Sequence, residues 1–170
     1  MAETKVNIDF KDVWSAVRDV AGEISDSGTF NVAQNGFVLP KGIDSPDQLT
    51  GWNSDYHHMQ VKTGWTSRWF LILTTPTRVR LGALWYFGGN VDGKGLYIAN
   101  ADIYFLVDSI GGWEKFEVSG TFDPPIASSN GVAKLGGQID FSYYEYSSVS
   151  ARKRVQFMLQ GDGYGRMDWI

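Results

Sequence analysis

The chain has 170 residues and a net charge of −4, with twenty glycines, no cysteine, seven Trp, eight Tyr and ten Phe. Apolar residues at 43 % and charged residues at 20 % exclude a disordered chain; the missing cysteine excludes disulfide frameworks and thiol chemistry, and the negative balance gives no reason to bind nucleic acid. No run of about 18 apolar residues is present to span a bilayer as a helix, and no apolar stretch follows Met1, so neither a transmembrane segment nor a signal peptide is visible.

The first 28 residues carry a helical pattern. Phe10, Val13, Trp14, Val17, Val20, Ala21 and Ile24 recur at steps of three and one, the stripe of a 3.6-residue period. Asp9 stands where a cap belongs, and Ser25 to Gly28 form a stop. The expectation is one amphipathic helix over about 10–24, roughly 22 Å long at 1.5 Å per residue. Lys11 and Arg18 face Asp9, Asp12, Asp19 and Glu23, two cations against four acids. An anionic bilayer would repel such a helix, so docking onto the rest of the fold is the reading preferred to membrane insertion.

From Thr29 the period changes to two. Phe116, Val118, Gly120 and Phe122 alternate with polar residues, as do Ile139, Phe141 and Tyr143, and Val155, Phe157 and Leu159. This is the pattern of antiparallel sheet with one wet face. Residues 65–73 and 96–107 are more continuously apolar and read as central strands covered on both sides. Asn35-Gly36 suggests a hairpin between 29–33 and 37–39. Asn90 to Gly95, Gly111-Gly112, Asp123-Pro124-Pro125 and Gly161 to Gly165 separate the later runs. The predicted fold is therefore all-β: an antiparallel β-sandwich, or a partly closed barrel, of eight to ten strands over about 29–170 behind one N-terminal helix, in a single domain spanning 1–170. The one long segment without periodicity is about 40–56, which is longer than usual connections and so a candidate functional loop.

Motifs for catalysis are weak. His57 and His58 are the only histidines, and adjacent residues of a strand point to opposite faces; Asp55 shares the face of His57. Asp44, Asp47 and Asp55 lack any Ca²⁺-loop spacing, and Asp102, Glu117, Asp140 and Glu145 fit a solvated sheet face. The glycine-rich turns lack the lysine and following helix of a phosphate loop. Arg152-Lys153-Arg154 is the one basic cluster and reads as protection of a strand edge. The expectation is a protein that is not an enzyme, with no cofactor and no metal ligands.

The aromatic residues carry more information. Phe105, Phe116, Phe122, Phe141 and Phe157 fit inward positions. Trp52 and Tyr56 lie in the aperiodic loop, Trp113 follows two glycines, and Tyr144 and Tyr146 fall on a polar face. Rings beside polar groups suit sugar faces and protein or headgroup interfaces. Trp52, Tyr56, Trp113, Tyr144 and Tyr146 are therefore the candidate ligand-binding residues. Trp52, Tyr56 and Trp113 are expected to be more exposed than Trp14, Trp69 and Trp85.

The order of elements, an amphipathic helix ahead of an aromatic-rich, cysteine-free sandwich, is similar to that of actinoporin-type pore formers and related fungal lectins. The similarity lies in element order alone; the acidic helix and a sequence pI of about 5.1 depart from the basic character of such pore formers, and no residue is carried over. The leading expectation is a soluble recognition protein, cytoplasmic or released without a signal. Its partner is a glycan, a cell-surface target or a membrane surface, in a lectin-like, toxin or defence role, with an oligomer compatible. Two alternatives stand beside it. One is a viral or phage structural or assembly protein. The other is a small β-barrel enzyme or carrier, with a pocket lined by Trp69, Trp85, Tyr104 and Phe105 and His57 or Asp102 inside.

Overall fold

The period-two segments become twelve strands among the described residues. In chain order they are β1 (Gly28–Val32), β2 (Gly36–Val38), β3 (His57–Trp65), β4 (Arg68–Trp69), β5 (Ile72–Leu73), β6 (Thr77–Val91), β7 (Lys94–Ser109), β8 (Glu114–Phe122), β9 (Ile126–Ala127), β10 (Ala133–Glu145), β11 (Ser148–Gln160) and β12 (Gly165–Trp169). The computed structural model describes residues 28–32, 36–54, 56–65, 68–69, 72–73, 77–109, 114–127, 131–145 and 148–170. The helix expected at about 10–24 lies outside them.

Two open sheets form. The first runs β1-β8-β10-β11-β12, with β9 on β10; the second runs β2-β7-β6-β3. All pairs are antiparallel except β1 with β8, where Gly28 to Val32 lie parallel to Phe116 to Gly120. The barrel alternative is corrected by this order, because each sheet ends on its own edge strands. The count of eight to ten strands is also corrected: β4, β5 and β9 are two residues long, too short to show a period. The single strand expected at 65–73 is replaced by the end of β3 and a small ladder in which Arg68 pairs with Leu73 and Trp69 with Ile72. A continuous apolar run marks burial but does not mark where a chain turns.

The hairpin expected at Asn35-Gly36 does not form either. β1 joins the first sheet, while β2 joins the second, with Gly36 opposite Ala101. What Gly36 supplies is close approach: a Cβ there would come within 2.7 Å of Leu135 Cδ2. The turn at Asp92-Gly93 matches expectation. Both residues have positive φ, +50° and +74°, which suits a two-residue hairpin between β6 and β7.

The core lies between the sheets. Val79, Leu81, Trp85 and Ile103 of the second sheet meet Phe116, Ile139, Phe141 and Val155 of the first, all buried. Phe105 meets Phe116 edge-on across the gap, ring centroids 5.8 Å apart, and Phe116 stacks on Phe141 within the first sheet at 6.3 Å. The outer face of the first sheet is polar, as alternation requires: Glu117, Ser119, Gln156 and Arg154 are exposed, and Arg154 pairs with Asp140 at 2.5 Å.

At the end carrying the β6–β7 hairpin the two sheets are bonded to each other. The Gly88 amide donates to the Gly161 carbonyl at 2.9 Å and the Leu96 amide donates to the Gly131 carbonyl at 2.8 Å, while the Gly161 amide continues the β10–β11 ladder of the first sheet by donating to the Ala133 carbonyl at 2.9 Å. Gly88 takes φ +92°, open to glycine at low cost, at the irregularity where β6 bends toward this junction.

Candidate functional site

The face of the second sheet turned away from the core is not an ordinary wet face. Along β6 and β7, Leu84, Tyr86, Asp102 and Tyr104 occupy outward positions, and all are buried. Together with the inward Ile98, Ala101, Ile103 and Phe105, this covers β7 on both sides, as its apolar run predicted. Tyr104 stands opposite Gly82, where a Cβ would meet the Tyr104 hydroxyl at 2.5 Å and the Met59 carbonyl at 2.7 Å. The missing side chain gives the phenol its bed. The Asp102 carboxylate, 4 % exposed, accepts from the Ile103 amide at 2.8 Å.

The edge strand β3 frames this floor. His58, Gln60 and Lys62 stand opposite Leu84, Gly82 and Arg80 and are exposed. Tyr56, half-buried, brings its ring edge-on to Tyr86 at 6.3 Å and lies 6.2 Å from the His58 ring. Arg80 is held by Asp108 in an ion pair at 2.6 Å. Aromatic surfaces, an imidazole, a carboxamide and an ion pair thus share one face.

Burial pushes the Tyr104 hydroxyl above its ordinary pKa; the neighbouring Tyr56 adds to the rise and the Arg80 charge opposes it. The phenol is thus kept neutral. In the unfolded chain it ionises near 10, so its contribution is whole below that pH. It is lost as pH rises through and beyond that value, where the unfolded state alone gives up its proton. Tyr104→Phe is expected to lose less melting temperature than wild type between neutral pH and about pH 11. Parallel alkaline slopes for the two proteins would count against this.

The sequence-predicted residues do not all come together. Trp52 and Tyr56 lie along the far stretch of β6, where residues 50–53 prolong the line of β3. Thr50 bridges Asn90, and the Asn53 amide donates to the Phe87 carbonyl at 3.0 Å. The half-buried Trp52 ring covers Gly89, where a Cβ would sit 2.6 Å from its Cε2, and its indole N–H donates to the Pro46 carbonyl at 3.1 Å. It fastens the 3-10 turn Pro46–Gln48, capped by Ser45, onto the sheet. The second half of the aperiodic segment is therefore bound to β6. Tyr144 is on the other sheet, half-buried, its hydroxyl donating to Glu117 at 2.5 Å; that bond is the main cause of its raised pKa. Trp113 and Tyr146 lie outside the described residues; their neighbours Glu114 and Glu145 are register partners beside Tyr144. Trp52 and Tyr56 are more exposed than Trp85, which is 1 % exposed, as expected; Trp14, Trp69 and Trp113 lie outside the residues whose burial is described.

Sequence reasoning missed Tyr86 and the role of Tyr104. The signal was present: Trp85-Tyr86 and Tyr104-Phe105 are adjacent aromatic pairs in strands, so one member of each must face away from the core. The same rule undoes the supposed pocket set. Trp85 and Phe105 point inward and Tyr104 and Asp102 outward, so they cannot line one cavity. His57 stacks on Trp85, centroids 5.2 Å apart and planes within 10°, on the opposite side of β3 from His58.

Compared with protein-family models, curated proteins and solved structures, the chain matches none.

Proposed function

We propose that this protein is a non-enzymatic recognition protein that binds a glycan or a related cell-surface target on the outer face of the second sheet, in a lectin-like, toxin or defence role. The observation that carries this reading is the rim of Tyr56, His58 and Gln60 around the buried floor of Tyr86, Tyr104 and Asp102. Ring faces suit the apolar faces of sugars, and imidazole and carboxamide groups suit their hydroxyls. Sites of this kind concentrate their binding free energy in a few aromatic anchors.

A glycan array and liposomes with and without glycolipid headgroups test the reading. Wild type is expected to bind, and Tyr56→Ala and His58→Ala are each expected to weaken binding by about tenfold, which corresponds to about 1.4 kcal/mol. Both side chains stand at the rim, so the melting temperature should change little. Absence of binding to any glycan or vesicle, or binding untouched by either substitution, would sink the proposal.

A further inference from the structure

β12 ends the first sheet, and its free side is self-complementary. The Ile170 amide donates to the Arg154 carbonyl, and the Gln160 amide donates to the Tyr164 carbonyl. In an antiparallel ladder the bonded positions alternate. Tyr164, Arg166, Asp168 and Ile170 therefore turn their backbone groups toward β11, while Gly165, Met167 and Trp169 turn theirs away from it. Among the described residues no strand takes up these outward groups. The strand has no proline, lysine or bulge to blunt its edge.

We propose that this edge pairs with the same edge of a second copy of the chain, antiparallel, about a two-fold axis through Met167. That register sets Met167 against its own mate and Gly165 against Trp169. These are the residues whose amides and carbonyls point outward, so every outward group finds a partner. The same register sets Arg166 opposite Asp168 on the polar face, twice per dimer. These fall in the closely spaced pairs that do not exchange backbone bonds, where cross-strand side chains lie nearest. Within one chain Arg166 and Asp168 are already bonded to each other and exposed, so the dimer gathers four charges of balanced sign. One step further out, Tyr164 meets Ile170, which are 56 % and 64 % exposed and among the most exposed large apolar residues. Trp169, 39 % exposed, stands opposite Gly165 in this register. Charge, apolar exposure and backbone direction thus agree on one register, and the occupant they fit is a second copy.

Sedimentation over a concentration series tests the proposal. Wild type is expected to approach twice the 19.0 kDa of one chain. Arg166→Asp sets two acids opposite each other, and Asp168→Arg two cations. Each is expected to weaken the dimer by about tenfold or more, while the double exchange of both residues restores it. As the chain has no cysteine, Met167→Cys gives an independent readout. The two Cα atoms of a bonded pair stand about 5.5 Å apart, within reach of a disulfide, and mild oxidation should trap a covalent dimer. A wild type that is monomeric at every concentration would overturn the proposal and leave the edge to a strand from a different protein. So would single charge variants that dimerise as well as wild type, or a double exchange that fails to recover.

Discussion

Trp85→Ala is expected to lower the stability of the fold by about 3–5 kcal/mol, the range of large-to-small changes at fully buried aromatic positions. Trp85 is 1 % exposed, in the core between the two sheets. Its indole N–H donates to the Gln160 carbonyl at 3.1 Å, across 75 residues of chain and from one sheet to the other. His57 stacks on one face of the ring, and Gly165 is bare where a Cβ would come within 2.6 Å of the indole. Alanine removes the packing, opens a void that this backbone cannot close, and takes one of two donors from the Gln160 carbonyl, which keeps only the Gly163 amide at 3.1 Å. Domains of this size hold about 5–15 kcal/mol in all, so the variant should melt far earlier or fail to fold at 37 °C. Trp85→Phe separates the two terms, keeping most of the packing and losing the hydrogen bond. Denaturant midpoints for the three proteins measure this; a loss for Trp85→Ala of under about 1 kcal/mol would show that the junction relaxes more than close packing allows.

Gly161→Ala is expected to cost about 3 kcal/mol or more, the upper end for overpacking. Gly161 bonds Ala133 and Gly88 with its own backbone, and a Cβ would lie 2.5 Å from the Leu96 carbonyl carbon and 3.0 Å from the Tyr97 amide nitrogen. The obstacle is backbone of β7, itself held by both sheets, so nothing can swing aside. Gly89→Ala meets the Trp52 side chain instead, which can rotate. Gly42→Ala, with φ +87° and nothing within 4 Å, bears only the backbone cost of a left-handed residue, about 1–2 kcal/mol. The order Gly161, then Gly42, in thermal unfolding is the outcome that checks steric origin against mere glycine count.

Much of the architecture was legible because alternation states which residues face inward. Phe116, Val118, Ile139, Phe141, Val155, Phe157 and Leu159 are all buried, and the Asp-Gly turn and the double proline end their strands where φ restrictions say they must. The failures have physical causes too. Asn35-Gly36 has the composition of a turn, but glycine serves close approach equally well, here against Leu135. β12 is five residues long, too short for its alternation to stand out behind the glycine-rich turn. The partner of β1 could not be found by reading neighbours, since a parallel pairing between residues 28 and 116 leaves no local trace. For the candidate site, Tyr56 was visible as an aromatic in an aperiodic stretch. Trp52 sent the same signal for another reason, since a ring needed to cover Gly89 and reach Pro46 also stands outside any period.

The path of β1 has a consequence in time. Apart from β1, the chain fills one sheet before it begins the other: β2, β3, β6 and β7 precede β8, and everything from β8 onward belongs to the first sheet. As the protein emerges from the ribosome, the second sheet can assemble by hairpins while its inner apolar face waits. β1 is made early and stays without its ladder until Phe116 to Gly120 exist. That strand then ties the beginning of the described chain to its second half, so loop closure over nearly the whole of the second sheet must precede its pairing. A nascent chain stalled before β8 carries a bare edge strand and an uncovered sheet, which is the form in which this protein is most exposed to aggregation.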